Sequence, residues 1–239
     1  MYIAMWSPPR TISTALMRSW ENRPDTFVCD EPFYSYFLKA TGDPHPLANQ
    51  IIAQHDHRWQ SVVSWLTGPV PEGYQIFYQK HMAHHLLPEI DREWLDHVTN
   101  CFLIREPHEM LTSYVKKHGL PRLENTGYPQ MLEIFHHVRS QSGAIPPVID
   151  SRELLENPPK VLRLLCASLG VQFSDDMLAW PSGPRVTDGV WGDHWYKEVL
   201  VTTSFGPYRP KPDAVPDELS DVLKRCEDLY QELFDYRLH

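Results

Sequence analysis

The stretch Tyr2-Ile3-Ala4-Met5-Trp6, followed by Ser7-Pro8-Pro9-Arg10-Thr11-Ile12-Ser13-Thr14, decides the architecture. Five consecutive apolar residues read as a strand buried on both faces. Two prolines then stop it, and Ser13–Glu21 shows a helical pattern. A buried strand running through a short turn into a helix is the opening of an α/β unit. In an open parallel sheet, ligands bind beyond the carboxyl ends of the strands. The turn here carries Arg10 and the hydroxyls of Thr11, Ser13 and Thr14. A helix start adds unpaired N–H groups and a positive dipole end, so the combination suits an anion. The plainer alternative is a helix capped by Ser or Thr, with Arg10 solvated.

The alternation continues outward from that stretch. Residues 26–29, 75–79, 100–104 and 147–149 read as strands, and residues 46–66 read as a helical stretch with room for a break. Pro107 opens a helix at a position where its missing N–H costs nothing. Residues 128–141, 160–169 and 218–236 have helical patterns, and Gly170 stands as a C-terminal stop. The expectation is an α/β fold: a three-layer α/β/α sandwich around a mostly parallel sheet, as one domain over residues 1–239. Residues 180–212 are rich in Pro, Gly and Trp with weak periodicity and read as a lid or substrate-side segment.

Bulk composition narrows the function. The 22 Lys and Arg against 31 Asp and Glu give a net charge of −9, which argues against a general nucleic-acid surface. A local basic pocket for a small anion remains open. No apolar run reaches bilayer length, no basic-flanked leader opens the chain, and the four cysteines form no C-x-x-C pair. The expectation is a reduced, cytoplasmic protein with no membrane or nucleic-acid partner. The pattern G-x-x-x-x-G-K-[ST] is absent, which removes the main support for an ATP or GTP site.

A second basic position lies in Phe102-Leu103-Ile104-Arg105-Glu106-Pro107-His108-Glu109-Met110-Leu111-Thr112-Ser113-Tyr114. Arg105 ends a strand, and two helical turns bring Ser113 back to the face that Arg105 flanks. A guanidinium fork and a hydroxyl can then share one phosphate. Taken together, Ser-x-Pro-Arg-x-x-Ser-Thr and R-x-P-x-x-x-x-x-S resemble the two phosphate motifs of sulfotransferases that use 3′-phosphoadenosine-5′-phosphosulfate (PAPS). Residues 148–158, with Leu162, Leu165, Leu169 and Gly170, are similar to that family's structural segment between sheet and helix. The resemblance covers residues 1–170 and implies a fold like that of P-loop nucleotide kinases. It implies that Arg10, Thr11, Ile12, Ser13 and Thr14 hold the 5′-phosphosulfate and that Arg105 and Ser113 hold the 3′-phosphate. Tyr208-Arg209-Pro210-Lys211 would stand for the family's closing basic segment, with Arg209 on the cofactor. Ile12 replaces a glycine and Ala15 a tryptophan that several members carry.

Sulfuryl transfer needs an acceptor oxygen, a base for its proton and cations on the charged oxygens. Arg10 and Lys80 are the cation candidates, Lys80 being placed just after the strand over 75–79 and resembling the family lysine. The base is Glu31, in Cys29-Asp30-Glu31-Pro32-Phe33, or else His81, which stands one residue short of the family histidine. A carboxylate with its pKa raised by an apolar pocket takes a hydroxyl proton; the plainer reading of Asp30 and Glu31 is a capped loop. The pairs His84-His85 and His136-His137 read as bland, since helical neighbours do not face one site. Trp191 and Trp195 read as core or as an acceptor wall. No metal ligand set is expected. The function expected is sulfuryl transfer from PAPS to a small-molecule acceptor, without metal. The alternatives are a P-loop-like small-molecule kinase using ATP, or a nucleotide-binding protein without catalysis.

Overall fold

The computed structural model describes residues 1–239. Five strands, β1 (Tyr2–Ser7), β2 (Thr26–Asp30), β3 (Ile76–Met82), β4 (Thr99–Ile104) and β5 (Val148–Asp150), form one sheet in the order β2-β3-β1-β4-β5. Every pairing is parallel. Between and after them lie α1 (Ser13–Glu21), α2 (Tyr34–Thr41), α3 (Ala48–Gln54), α4 (Trp59–Leu66), α5 (Pro107–His118), α6 (Tyr128–Ser142), α7 (Ser151–Glu156), α8 (Pro158–Ser168), α9 (Gly192–Trp195) and α10 (Ser220–Phe234). No helix is long and apolar enough to cross a membrane.

Strand alternation sorts the core into two layers. Ala4, Trp6, Phe77 and Phe102 pack with Met131, Ile134 and Phe135 of α6 and Leu233 of α10. Ile3, Met5, Tyr78 and Leu103 pack with Leu16, Met17 and Trp20 of α1 and Leu162 and Leu165 of α8. Side chains two apart share a face and neighbours do not, so one sheet feeds both layers. The result is the expected three-layer α/β/α sandwich.

Several boundaries differ from those read in the sequence. The stretch over 46–66 is two helices, broken at His55, whose backbone is extended. Helix α2 was not expected, because Tyr34-Ser35-Tyr36-Phe37 has weak helix preference. Its buried Tyr34, Phe37 and Leu38 pack on Ile51, Trp191 and Tyr196, and that contact outweighs the preference. Strand β3 runs past Gln79 to Met82, since Trp6 and Ser7 of β1 continue the ladder opposite His81 and Met82.

The turns into helices are capped where the site needs rigidity. The Glu106 carboxylate accepts from the His108 and Glu109 N–H groups at 3.0 and 2.9 Å, holding Arg105 at the foot of α5. Asp150 caps α7 in the same way at 2.8 and 3.1 Å. By contrast, no side chain caps α1, whose first turn closes with the Leu16 N–H on the Ile12 carbonyl.

Candidate active site

A cavity of about 750 Å³ opens over the carboxyl ends of the strands. Arg10, Thr11, Ile12, Ser13 and Thr14 line it, as do Glu31, Lys80, Arg105, Ser113 and Arg209. His81 does not.

One side of the cavity is organised around Arg10. This residue takes φ 58°, a left-handed conformation that costs a non-glycine residue on the order of 1 kcal/mol. Its Nε donates to Ser113 Oγ at 3.2 Å, and its carbonyl accepts from Arg105 Nη1 at 2.5 Å. One residue therefore joins the turn after β1 to both basic-site residues at β4 and α5. Arg105 also donates through Nε and Nη2 to Glu109 Oε2, at 3.3 and 3.1 Å. Of the five N–H donors of a guanidinium, two remain free on Arg105. Ser113 accepts from Arg10 and keeps its own hydroxyl hydrogen. The N–H groups of Ser13, Thr14 and Ala15 have no helical acceptor. Burial holds the Arg10 guanidinium below its usual pKa, the Glu198 carboxylate opposes that, and the Arg105 charge adds to it. Two neighbouring cations with spare donors are relieved by an anion between them. Thr11 spends its hydroxyl on the Pro8 carbonyl at 3.2 Å, and Arg209 is exposed.

The opposite side of the cavity is closed on itself. Lys80 lies inside β3 rather than beyond its end, with its side chain 1% exposed. Its Nζ donates to Asp30 Oδ1 at 2.8 Å, Glu31 Oε1 at 2.6 Å and the Tyr196 hydroxyl at 2.8 Å. Tyr196 donates to Asp30 Oδ2 at 2.6 Å, and Trp191 Nε1 reaches the same oxygen at 3.1 Å. Burial opposes the charge on Lys80, but Asp30, Glu31 and Tyr196 outweigh it and keep the ammonium protonated. Glu31 is also left-handed, with φ 42°, and its N–H donates to the Lys80 carbonyl at 2.9 Å. Burial pushes the Glu31 carboxyl above its usual range, against the pull of Lys80.

His81 is corrected as a base candidate. Its ring stacks on Trp6 at 4.3 Å beside Phe33 and Trp94, on the sheet face away from Lys80. Burial there pushes its pKa down to about 3. The one-residue offset from Lys80 is enough to turn it into the core.

Several cavity residues were not legible as such. His84 and His85 sit in a 3₁₀ turn after β3, not in an α-helix, and both line the cavity. His85 stacks on Tyr34 at 4.6 Å, and its Nδ1 is 4.0 Å from Glu31 Oε2. Trp195 lines the cavity and packs tilted against His118 with ring centres 4.4 Å apart, whereas Trp191 is buried. Glu109 links Arg105 to Tyr208, whose hydroxyl donates to Glu109 Oε1 at 2.5 Å. A carboxylate one turn after Arg105 was the only available signal for that link.

Comparison with known proteins decides the family. The model of the sulfotransferase domain matches residues 1–233. The chain belongs to the sulfotransferase family. Over 238 residues it is 35% identical to branched-chain-amino-acid aminotransferase-like protein 1 of Arabidopsis thaliana and 32% identical to protein 2, covering 99% of this chain. It spans 42% of the length of each of these curated relatives. Among solved structures, a sulfotransferase from Alicyclobacillus acidocaldarius superposes with a TM-score of 0.58 at 11% identity, covering 99% of this chain and 96% of that one. The sulfotransferase domain of the Synechococcus PCC 7002 olefin synthase gives 0.53 at 18% identity, covering 100% of this chain and 96% of that one. At such identities these neighbours speak for the fold, which is the sulfotransferase fold. No three His, Cys, Asp or Glu residues are grouped so as to hold a metal ion.

Proposed function

We propose that this chain transfers a sulfuryl group from PAPS to a hydroxyl of a small-molecule acceptor. The observation that carries this reading is the Arg10 bridge: one residue ties an uncapped helix start to Arg105 and Ser113 in a shared cavity. Two anion seats so joined fit a nucleotide bearing phosphates at both ends of its ribose.

The residues present fit such a donor, because spare hydrogen-bond donors occur at both seats. The N–H groups at the start of α1 with Ser13, Thr14 and Arg10 would hold its 5′-phosphosulfate end. Arg105 and Ser113 would hold the 3′-phosphate, with Arg209 near the opening. PAPS supplies the activated sulfuryl group. The chain's part is then to fix the donor, exclude water and receive a proton. Glu31 is the proton acceptor in this account: its raised pKa brings it closer to the working pH, where a base is most effective. The acceptor would lie beside Tyr34, Phe37, His84, His85 and Trp195, a wall of rings at the Glu31 end of the cavity. The segment 180–212 closes this side as a lid.

The test is calorimetric titration of adenosine 3′,5′-bisphosphate and AMP, followed by transfer assays with PAPS and an acceptor panel. Preference for the bisphosphate and a sulfated product support the reading. Equal affinities leave a general adenine-nucleotide site and overturn it.

A further inference from the structure

The geometry points to Asp30 and Tyr196 as positioning residues that clamp Lys80 beneath Glu31, so that Lys80 acts on the reaction only through Glu31. This rests on the reading of Glu31 as proton acceptor.

An ammonium group has three N–H donors. Lys80 spends one on Asp30, one on Glu31 and one on Tyr196, all at 2.6–2.8 Å, with its side chain out of contact with water. No donor is left for an oxygen of a bound sulfuryl donor. The family resemblance would have Lys80 as a cation facing that group, and the hydrogen-bond count opposes it.

Tyr196 makes the clamp rigid. Its hydroxyl accepts from Lys80 and donates to Asp30 Oδ2, closing a ring of Lys80, Asp30 and Tyr196. Trp191 adds a second donor to Asp30 Oδ2. With both oxygens of Asp30 engaged, the one carboxylate oxygen of the cluster without a hydrogen bond is Glu31 Oε2. His85 Nδ1 stands 4.0 Å from it, beyond hydrogen-bond range. Glu31 lines the cavity, so the clamp leaves a single outlet for a proton. In the transfer step the acceptor O–H bond breaks, its proton goes to Glu31 Oε2, and the acceptor oxygen forms the new S–O bond as the bond to the phosphate oxygen breaks. Lys80 holds Oε1 throughout.

The groups facing Glu31 are Asp30 from β2, Lys80 from β3, His85 from the turn after β3, Tyr34 from α2 and Tyr196 from the segment after α9. Two of these are levers of opposite sign. Tyr196→Phe removes a donor from Asp30 and leaves its negative charge less compensated, which disfavours a second carboxylate. Asp30→Asn removes that negative charge and favours it.

The test is ¹³C-carboxyl NMR titration of Glu31, its signal identified by loss in Glu31→Gln, in wild type and both variants. Tyr196→Phe should raise the midpoint and Asp30→Asn should lower it, each by about one pH unit or more. The acid limb of kcat/KM should move with it. Melting temperature and bisphosphate affinity establish that each variant is folded. Should Tyr196→Phe not fold, Trp191→Phe weakens the same oxygen and should shift the midpoint the same way by less. An unmoved midpoint, or shifts of the same sign in both variants, overturns the clamp, because loose packing alone gives no sign reversal. A bisphosphate-bound crystal with Lys80 Nζ withdrawn from Asp30 and seated on the 5′-phosphate would overturn it too. The two readings separate cleanly: opposite shifts without any sulfated product retain the clamp and remove the function, whereas transfer with an unmoved midpoint does the reverse.

Discussion

The two sides of the cavity are built on opposite principles. At the ends of β1 and β4, Arg10, Arg105 and Ser113 form a net that keeps donors in reserve: two N–H groups on Arg105, the Ser113 hydrogen and the open start of α1. At the ends of β2 and β3, Asp30, Lys80, Tyr196 and Trp191 satisfy one another and leave one free oxygen on Glu31. An open net invites a ligand and contributes affinity. A closed net holds one group at a fixed place and protonation state. The difference teaches that binding and proton transfer here should respond separately to mutation.

The largest expected effect breaks the closed side alone. Glu31→Gln should cut sulfuryl transfer by about 10²–10⁴-fold, the usual contribution of a positioned base. Bisphosphate affinity should hardly change, because Glu31 makes no hydrogen bond to Arg10, Arg105 or Ser113. Calorimetry beside a transfer assay measures both; equal loss in the two would mean that the sides are not separable.

Arg105→Ala breaks the open side. Losing a charged hydrogen-bond donor should cost the bisphosphate about 1.5–3 kcal/mol, with AMP little affected. The variant also frees Glu109 and Tyr208, so the comparison with AMP is needed to distinguish a lost phosphate contact from a disturbed helix.

A smaller effect concerns stability. His81 has a folded pKa of about 3, against an ordinary 6.5, because burial disfavours its charge. Between these values the unfolded chain binds a proton that the folded chain refuses. Its contribution to stability is therefore intact above pH 6.5 and is lost as pH falls toward 3, at up to about 1.4 kcal/mol per unit. His81→Phe should flatten the decline of denaturant-measured stability between pH 6.5 and 5 while leaving bisphosphate affinity unchanged. An unaltered slope would show that His81 is protonated in the folded protein. The smallest change expected is Arg209→Ala: an exposed cation at the opening should contribute less than about 1 kcal/mol to bisphosphate binding.

The same contrast explains what was legible in the sequence. The open side is encoded within short spacings. A strand, two prolines and Arg10 lead into one helix, and Arg105 precedes Ser113 by two turns of another, so local spacing sets these residues at helix starts, while their phosphate roles came from the family resemblance. The closed side depends on pairings far apart in the chain, Lys80 with Asp30 and with Tyr196. Nothing local marks Lys80 as buried; its place in β3 depends on pairing with Met5 of β1 and Asp30 of β2. The segment 180–212 has only weak periodicity because single inserted side chains, Trp191 and Tyr196, make its contacts with the cluster. The rule that helical neighbours do not face one site fails for His84 and His85, which stand in a 3₁₀ turn after a strand.

The central claim is that Arg10 joins two phosphate seats into one nucleotide site. Calorimetric titration of the wild-type chain with adenosine 3′,5′-bisphosphate and with AMP, at one salt concentration, tests it most directly. The account predicts binding of the bisphosphate about 10-fold or more tighter, as expected for charged hydrogen bonds to a second phosphate. Equal affinities for the two ligands would contradict it.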